Sequence, residues 1–449
     1  MMTDHAPPAP LIVIGGGLAG LSAALRLAES GVRVLVLEAG DEVGGRARSM
    51  TVDGEPLDRG FQSLFTAYPA TSRMLRDIGL VRHDLVAFDR GAVVHDGSGW
   101  SRMGMSAGGT LGFRWFTRGD VLRLGRLAAE LAAAPDDALL WGDEAAEDTA
   151  GYLVRRGFSA RAIEGFFRPL FGVITADRGL QSDAGYFRFL MKMLLRGRAV
   201  VPVEGHGMIS RWAAARIEQL GGEVRTGGAV SGIRLAPDDR GLATGVRLGD
   251  GSEITCAGLV VAGGARASRA LLADVDRQAA RALDLEARGV TALAYALDAS
   301  FHSGRTLVLN GAPADGGVRV DLVCQESNLL RPGMGEGARL LAVGVHGDDG
   351  PPDPEQLDRA MAKLAGEWNP GFPWQRAARL EAVVVHDDAQ FAVPPGVRAD
   401  LPDAATGVSN VFLAGDFTAH PSVEGAVGSG ERAAAVAGRW WDTHVSAGH

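Results

Sequence analysis

The chain has 449 residues, 46% of them hydrophobic, enough to bury a large core divided over two or three domains. Its 45 basic and 54 acidic side chains leave a formal charge of −9, a balance that argues against a nucleic-acid partner. The two cysteines, Cys256 and Cys324, make no C-x-x-C pair or disulfide framework, and no apolar run of about 18 residues is present to span a membrane.

Residues 1–8 are polar and proline-rich and read as a disordered tail, not a signal peptide. With thiols in strand-like contexts, a reducing compartment and a cytoplasmic protein are the expectation. Residues 11–38 then read as a βαβ unit: the apolar strand LIVI, the glycine turn GGGLAG, an alanine-rich helix over 21–30 and a second strand over 32–37. Gly15, Gly17 and Gly20 stand at G-x-G-x-x-G spacing. Such glycines allow a tight turn, close approach of backbone N–H groups to a pyrophosphate, and close packing of helix on strand. The helix N-terminus adds a positive end. Glu38 ends the second strand, where a carboxylate can accept both hydroxyls of a ribose. Gly44-Gly45-Arg46 follows directly, a second close-approach loop with a guanidinium suited to phosphate.

Asp53-Gly54 marks a hairpin turn, and Asp58 to Gln62 lead toward an amphipathic helix, with Asp58 a cap or turn residue or part of a D-x-G element. From 70 to 200 helical periodicity dominates, with one strand-like piece at GAVVHDGSGW. Phe166, Phe167, Phe171, Phe187 and Phe189 cluster here. They suit a core, a tunnel for a bulky apolar substrate, or a peripheral membrane contact. Residues 201–264 return to α/β texture: a helix ended by Gly221-Gly222, then strands joined at Gly249-Asp250-Gly251. Residues 265–380 carry further strands and helices. Acidic and histidine clusters at 346–349 and 386–388 lack metal-ligand spacing, so no metal is expected. Near the end, NVFLAGDFTAHPSVEGAVGSG reads as a strand, a Gly415-Asp416 turn, a loop, and a helix capped by Ser422.

The two halves, G-x-G-x-x-G to GGR and the strand-GD-loop-helix, resemble the flavoproteins that include amine oxidases, protoporphyrinogen oxidase and the carotenoid desaturases. That resemblance implies an α/β fold: a Rossmann-like FAD-binding domain of the GR2 type, discontinuous over 9–75, 201–268 and 382–442, with an inserted α+β substrate domain over 76–200 and 269–381. It implies non-covalent FAD contacted by Gly15, Gly17, Leu18, Ala19, Gly20, Glu38, Ala39, Gly44, Gly45, Arg46, Gly60, Phe61, Gln62, Val230, Gly415, Asp416, Val423, Glu424 and Ala426. In the family, Glu38 would meet the adenosine ribose, Arg46 the pyrophosphate, Val230 the adenine, Gly60 the isoalloxazine ring, Asp416 the ribityl chain or a phosphate, and residues 423–426 flavin N1 and O2. Glu424 is alternatively a helix-terminal charge or a partner for Arg46.

The aromatic-cage tyrosine of amine oxidases is replaced by Ser422, and the only lysines are Lys192 and Lys363. The resemblance is therefore closer to the desaturase-like branch, with FAD removing hydride from a small, largely apolar organic substrate and passing electrons to O2, a quinone or another carrier. His420 and Gln62 are the candidate catalytic side chains. The alternatives are a flavin oxidase of a C–N or C–C substrate, a redox-neutral isomerase, and a non-enzymatic binder like the Rab GDP-dissociation inhibitors.

Overall fold

In the computed structural model, which describes residues 8–52, 55–60, 63–104, 107–141, 146–237, 241–312, 317–330, 338–347 and 350–446, the strand Leu11–Ile14 forms the centre of a parallel sheet. It is flanked by Val34–Leu37 and Gly258–Val261, and outside these run Glu223–Arg225 and Val411–Leu413. The central strands are buried at every position, which is why their sequences are apolar runs and do not alternate. Three distant stretches of chain thus build one Rossmann-like sheet.

The first helix, Leu18–Glu29, begins earlier than residue 21 because the glycine turn winds directly into it, with Gly17 as N-cap. It crosses the C-terminal helix Val423–His444 at Gly430, where a Cβ would lie 2.3 Å from the Ala19 carbonyl oxygen. Ser22 Oγ donates to the Val427 carbonyl at 2.8 Å across the same crossing. A small antiparallel meander, Val230–Leu235, Ala243–Leu248 and Glu253–Thr255, follows the helix Gly207–Gln219. The turn between its last two strands holds Gly251 at φ +86°.

A second sheet has seven strands in the order Ala378–Phe391, Ala287–Leu297, Ala338–Val345, Leu322–Cys324, Val308–Asn310, Ala92–His95 and Trp100–Met103. The two insertions therefore share one sheet, joined where Val308–Asn310 runs parallel to Ala92–His95. Side chains alternate across it. Leu293, Tyr295 and Leu297 meet Leu357, Met361 and Leu364 of the helix Pro354–Trp368, whereas Ala292 and Ala294 face the phenylalanine core. Residues 382–391, expected with the nucleotide domain, instead belong to the edge strand of this sheet, because they continue the pairing with Ala287–Leu297.

Phe166, Phe167, Phe171, Phe187 and Phe189 are buried, with ring centroids 5.1 Å apart for Phe166–Phe167 and 4.6 Å for Phe171–Phe187. Among the described residues they are core. No described helix is long and apolar enough to cross a membrane.

Candidate functional site

The turn after Leu11–Ile14 is built by exclusion. Gly15 has φ +111°, and a Cβ there would lie 2.6 Å from the Ala262 carbonyl oxygen. At Gly20 a Cβ would sit 2.0 Å from the Gly15 carbonyl oxygen. Gly17 is different: nothing lies within 4 Å of its Cβ position. The loop at 44–45 runs beside it, with Gly44 N–H donating to the Gly16 carbonyl at 2.8 Å and a Gly17–Gly44 bridge. Two glycine-lined loops thus leave an open cradle of backbone at the start of the Leu18–Glu29 helix, the arrangement that accepts a pyrophosphate.

Glu38 stands at the rim of that cradle. Its Oε2 accepts Gly16 N–H at 2.7 Å and its Oε1 accepts Gly40 N–H at 2.8 Å, so each oxygen keeps a lone pair for a further donor. The entry to the meander lies alongside: Gly228 N–H donates to the Glu38 carbonyl at 2.9 Å, which brings Ala39 and Val230 to the same edge.

Arg46 joins the front of the site to its back. Its Nη2 pairs with Asp416 Oδ1 at 2.7 Å, and its Nη1 donates to the Ala389 carbonyl at 2.9 Å. Asp416, nearly buried, raises the Arg46 guanidinium further above its already high ordinary value. Gly415 N–H donates to Ser429 Oγ at 2.8 Å, which fixes the GD turn on the C-terminal helix.

Glu424 does not pair with Arg46. Its Oε1 accepts Ala70 N–H at 2.8 Å, and its Oε2 accepts Thr71 N–H at 2.9 Å and Thr71 Oγ–H at 2.8 Å. The carboxylate therefore caps the neighbouring helix Pro69–Asp77 while its own residue sits in the first turn of Val423–His444. Ser422 caps that last helix through Gly425 N–H at 3.0 Å.

His420 lies just before this helix and is buried between Phe189, at 4.8 Å between ring centroids, and Tyr186, at 5.7 Å. Its Nδ1 is 2.9 Å from Ser422 Oγ. Burial, then the charges of Arg432 and Arg398, push its pKa down to about 3. The imidazole is therefore neutral across the physiological range. Tyr186 donates to the Pro421 carbonyl at 2.7 Å, and Tyr68 stacks on Phe189 with centroids 6.2 Å apart. Burial and the nearby Glu424 raise the Tyr68 phenol above its ordinary value, so it is a protonated donor.

Gly60 lies where a Cβ would be 3.3 Å from His386 Nε2, while Phe61 and Gln62 fall outside the described residues. Lys192 is buried and paired with Asp136 at 2.5 Å. His346 bonds Thr291 Oγ1 at 2.9 Å, and His386 Nε2 lies 3.1 Å from the Arg59 carbonyl; among the described residues no group of three His, Cys, Asp or Glu is arranged to hold a metal ion. Sequence patterns do not single out two residues that the fold brings beside Asp58, His206 and Glu326. Neither belongs to a motif, and only tertiary contact identifies them.

The chain was compared with known proteins. Hydroxyneurosporene desaturase of Rhodobacter capsulatus is 50% identical over 50 residues, 11% of this chain and 10% of that protein. Flavin-containing amine oxidase A of Sus scrofa is 50% identical over 68 residues, 15% of this chain and 12% of that protein. These matches span only about an eighth or less of the relatives' length. The fold matches an oxidoreductase of Methanosarcina mazei with a TM-score of 0.72 over 94% of this chain and 99% of that one, at 17% identity. The sequence signature of the flavin-containing amine oxidoreductases covers residues 18–437. With the glycine cradle and the GD turn joined by Arg46 and Asp416, that match shows that the chain belongs to the flavin-containing amine oxidoreductase family.

Proposed function

We propose that this chain binds FAD non-covalently and removes a hydride from a largely apolar, uncharged organic substrate. The open face at Gly17 and the spare lone pairs of Glu38 fit the dinucleotide. Glu38 would hold the adenosine ribose, the backbone near Val230 the adenine, and Gly44 to Arg46 the pyrophosphate. Asp416 would hold the ribityl side, and the first amides of Val423–His444 the N1 and O2 edge of the flavin ring, where charge develops on reduction. In this reading 9–75, 201–268 and 392–442 form the cofactor unit, and the seven-stranded sheet with its helices encloses the substrate. When bound, the flavin supplies a two-electron acceptor for hydride and passes the electrons to O2, a quinone or another carrier.

One observation carries the choice of substrate: the carboxylates around the end of the last helix are committed. Glu424 caps Pro69–Asp77, Asp416 pairs with Arg46, and Asp183 pairs with Arg398 at 2.7 Å while capping the helix Ala184–Arg196. None is offered to an ammonium group, and Arg398 and Arg432 act on His420 as nearby positive charges. A protonated amine is disfavoured in such a field, whereas an apolar chain is not.

His420 then orients substrate and takes no proton. Ser422 Oγ, which accepts the Gly425 N–H, lies 2.9 Å from His420 Nδ1 and so fixes the plane of the neutral ring. The deciding experiment is anaerobic bleaching of the bound flavin across amines, polyenes and cyclic alkenes, with acid precipitation of the protein. Bleaching by apolar alkenes and release of intact FAD into the supernatant are expected. Bleaching by amines alone, or flavin remaining in the pellet, would refute the reading.

A further inference from the structure

Asp58, His206 and Glu326 come from three separated stretches of chain and meet at a buried point that the roles above do not use. Asp58 ends the strand Glu55–Asp58, His206 precedes the helix Gly207–Gln219, and Glu326 lies in the turn after Leu322–Cys324. The Asp58 carboxylate is surrounded by donors. Its Oδ1 accepts Ser49 Oγ–H at 2.6 Å and His206 N–H at 2.8 Å, and its Oδ2 lies 2.5 Å from His206 Nδ1. Such a carboxylate is ionised.

Glu326 Oε2 lies 3.4 Å from the Asp58 backbone nitrogen, and among the described residues no basic side chain pairs with it. Burial and the adjacent Asp58 charge keep it a neutral acid. His206 Nε2 is buried without a hydrogen-bond partner. Asp58 is therefore the ionised carboxylate of the cluster, and Glu326 the acid that keeps its proton well above the ordinary carboxylate range.

The same groups fix the backbone of residues 58–60. Glu326 faces the Asp58 N–H, His386 Nε2 lies 3.1 Å from the Arg59 carbonyl, and the His386 ring closes over Gly60. From the other side Gly205, at φ +76°, brings the His206 loop so close that a Cβ there would be 2.7 Å from Asp58 Oδ1. The His206 loop, the Glu326 turn and the strand Ala378–Phe391 thus hold three consecutive residues.

We propose that Asp58, His206 and Glu326 are positioning residues that hold residues 58–60 against the flavin ring, and that the proton on Glu326 links the flavin's reduction potential to pH. This rests on the FAD reading above. When Glu326 gives its proton to solvent, a second negative charge appears beside Asp58 and opposes reduction, so the potential falls. The titratable groups facing Glu326 are Asp58, His206 and Cys324, with His386 behind Arg59.

The test is dye-equilibration potentiometry of the FAD-loaded full chain from pH 6 to 9, with FAD titrations, for wild type, Asp58→Asn, His206→Gln and Glu326→Gln. The wild-type potential should fall more steeply with pH than that of Glu326→Gln, while Asp58→Asn and His206→Gln should weaken FAD binding about tenfold and shift the flavin absorption bands. If Asp58→Asn does not fold, Glu326→Gln still decides, since it exchanges a neutral acid for a neutral amide of the same shape. A Glu326→Gln protein with the wild-type pH profile overturns the inference, as do Asp58→Asn and His206→Gln proteins with wild-type spectra and affinity. A wild type that takes up no FAD overturns both this inference and the reading on which it rests.

Discussion

Glu326→Gln should stabilise the protein at neutral pH and leave it unchanged in acid. The folded chain keeps a proton on Glu326 well above the ordinary carboxylate range, because the group is buried and Asp58 is charged beside it. The unfolded chain releases that proton near pH 4.3–4.5. Between those two values the folded state binds more protons than the unfolded state, so stability falls as pH rises, by up to about 1.4 kcal/mol per unit. Below the unfolded value both states are protonated and the penalty vanishes. Glutamine carries no such proton, so its advantage over wild type should be near zero at pH 4 and grow as pH rises toward neutrality. Asp58 works in the opposite sense: its pKa is lowered by His206 and its other donors, so its stabilisation is complete above the usual Asp value and is lost in acid. It therefore contributes nothing to the slope between pH 5 and 7. Urea unfolding of the FAD-loaded proteins at half-unit steps from pH 4 to 7.5 measures the difference. A difference that stays flat with pH, or a variant that weakens as pH rises, would mean that Glu326 is ionised in the fold, and the proton-holding argument fails.

Three further predictions concern the rest of the site. Gly430→Ala places a methyl 2.3 Å from the Ala19 carbonyl oxygen and 2.9 Å from the Ala23 nitrogen, so it should cost about 1–3 kcal/mol in urea unfolding. Gly428→Ala, whose nearest neighbour would be Arg432 Nη1 at 3.6 Å, should instead gain up to about 1 kcal/mol; equal effects at the two positions would contradict the helix crossing. Asp416→Asn removes the carboxylate paired with Arg46, whose side chain is 38% exposed; after screening, about 1 kcal/mol of FAD affinity, roughly fivefold in Kd, should be lost. Unchanged FAD affinity by fluorescence titration would separate the bridge from the cofactor. His420, with its pKa pushed down to about 3, binds fewer protons when folded than when unfolded near 6.5, so its presence lowers stability as pH falls below 6.5. His420→Gln should therefore relieve up to about 3 kcal/mol of acid destabilisation between pH 6.5 and 4.5, and flavin reduction by substrate should show no His420 inflection from pH 5 to 8.

What the sequence made legible was the part of the site written in backbone. Gly15, Gly17, Gly20 and Glu38 were readable because a glycine turn, a helix start and a strand end are local events with fixed spacing, and the structure places them in one cradle. The front and back of the site were also readable as halves of one whole, although the bond that joins them, Arg46 to Asp416, spans 370 positions. Side-chain partnerships were not readable to the same degree. The true contact of Glu424 depends on where the helix Pro69–Asp77 lands, and nothing near position 424 encodes that. The Asp58–His206–Glu326 cluster has no pattern at all, since each residue type is common and the three come from separate strand ends and loops that meet only in the folded chain. The misplaced boundary at 382 has the same origin. EAVVVHDDAQF can be a strand of either unit, and the pairing with Ala287–Leu297 decides it. A cofactor held by backbone groups leaves a motif, because any departure in spacing breaks the turn. A substrate pocket assembled from side chains on separate insertions leaves none, because each side chain answers only to its neighbours in space. In the apolar-substrate reading the pocket draws on His420 of the cofactor unit and on Tyr186 and Phe189 of the first insertion, and variants there should change which substrates bleach the flavin while FAD affinity holds.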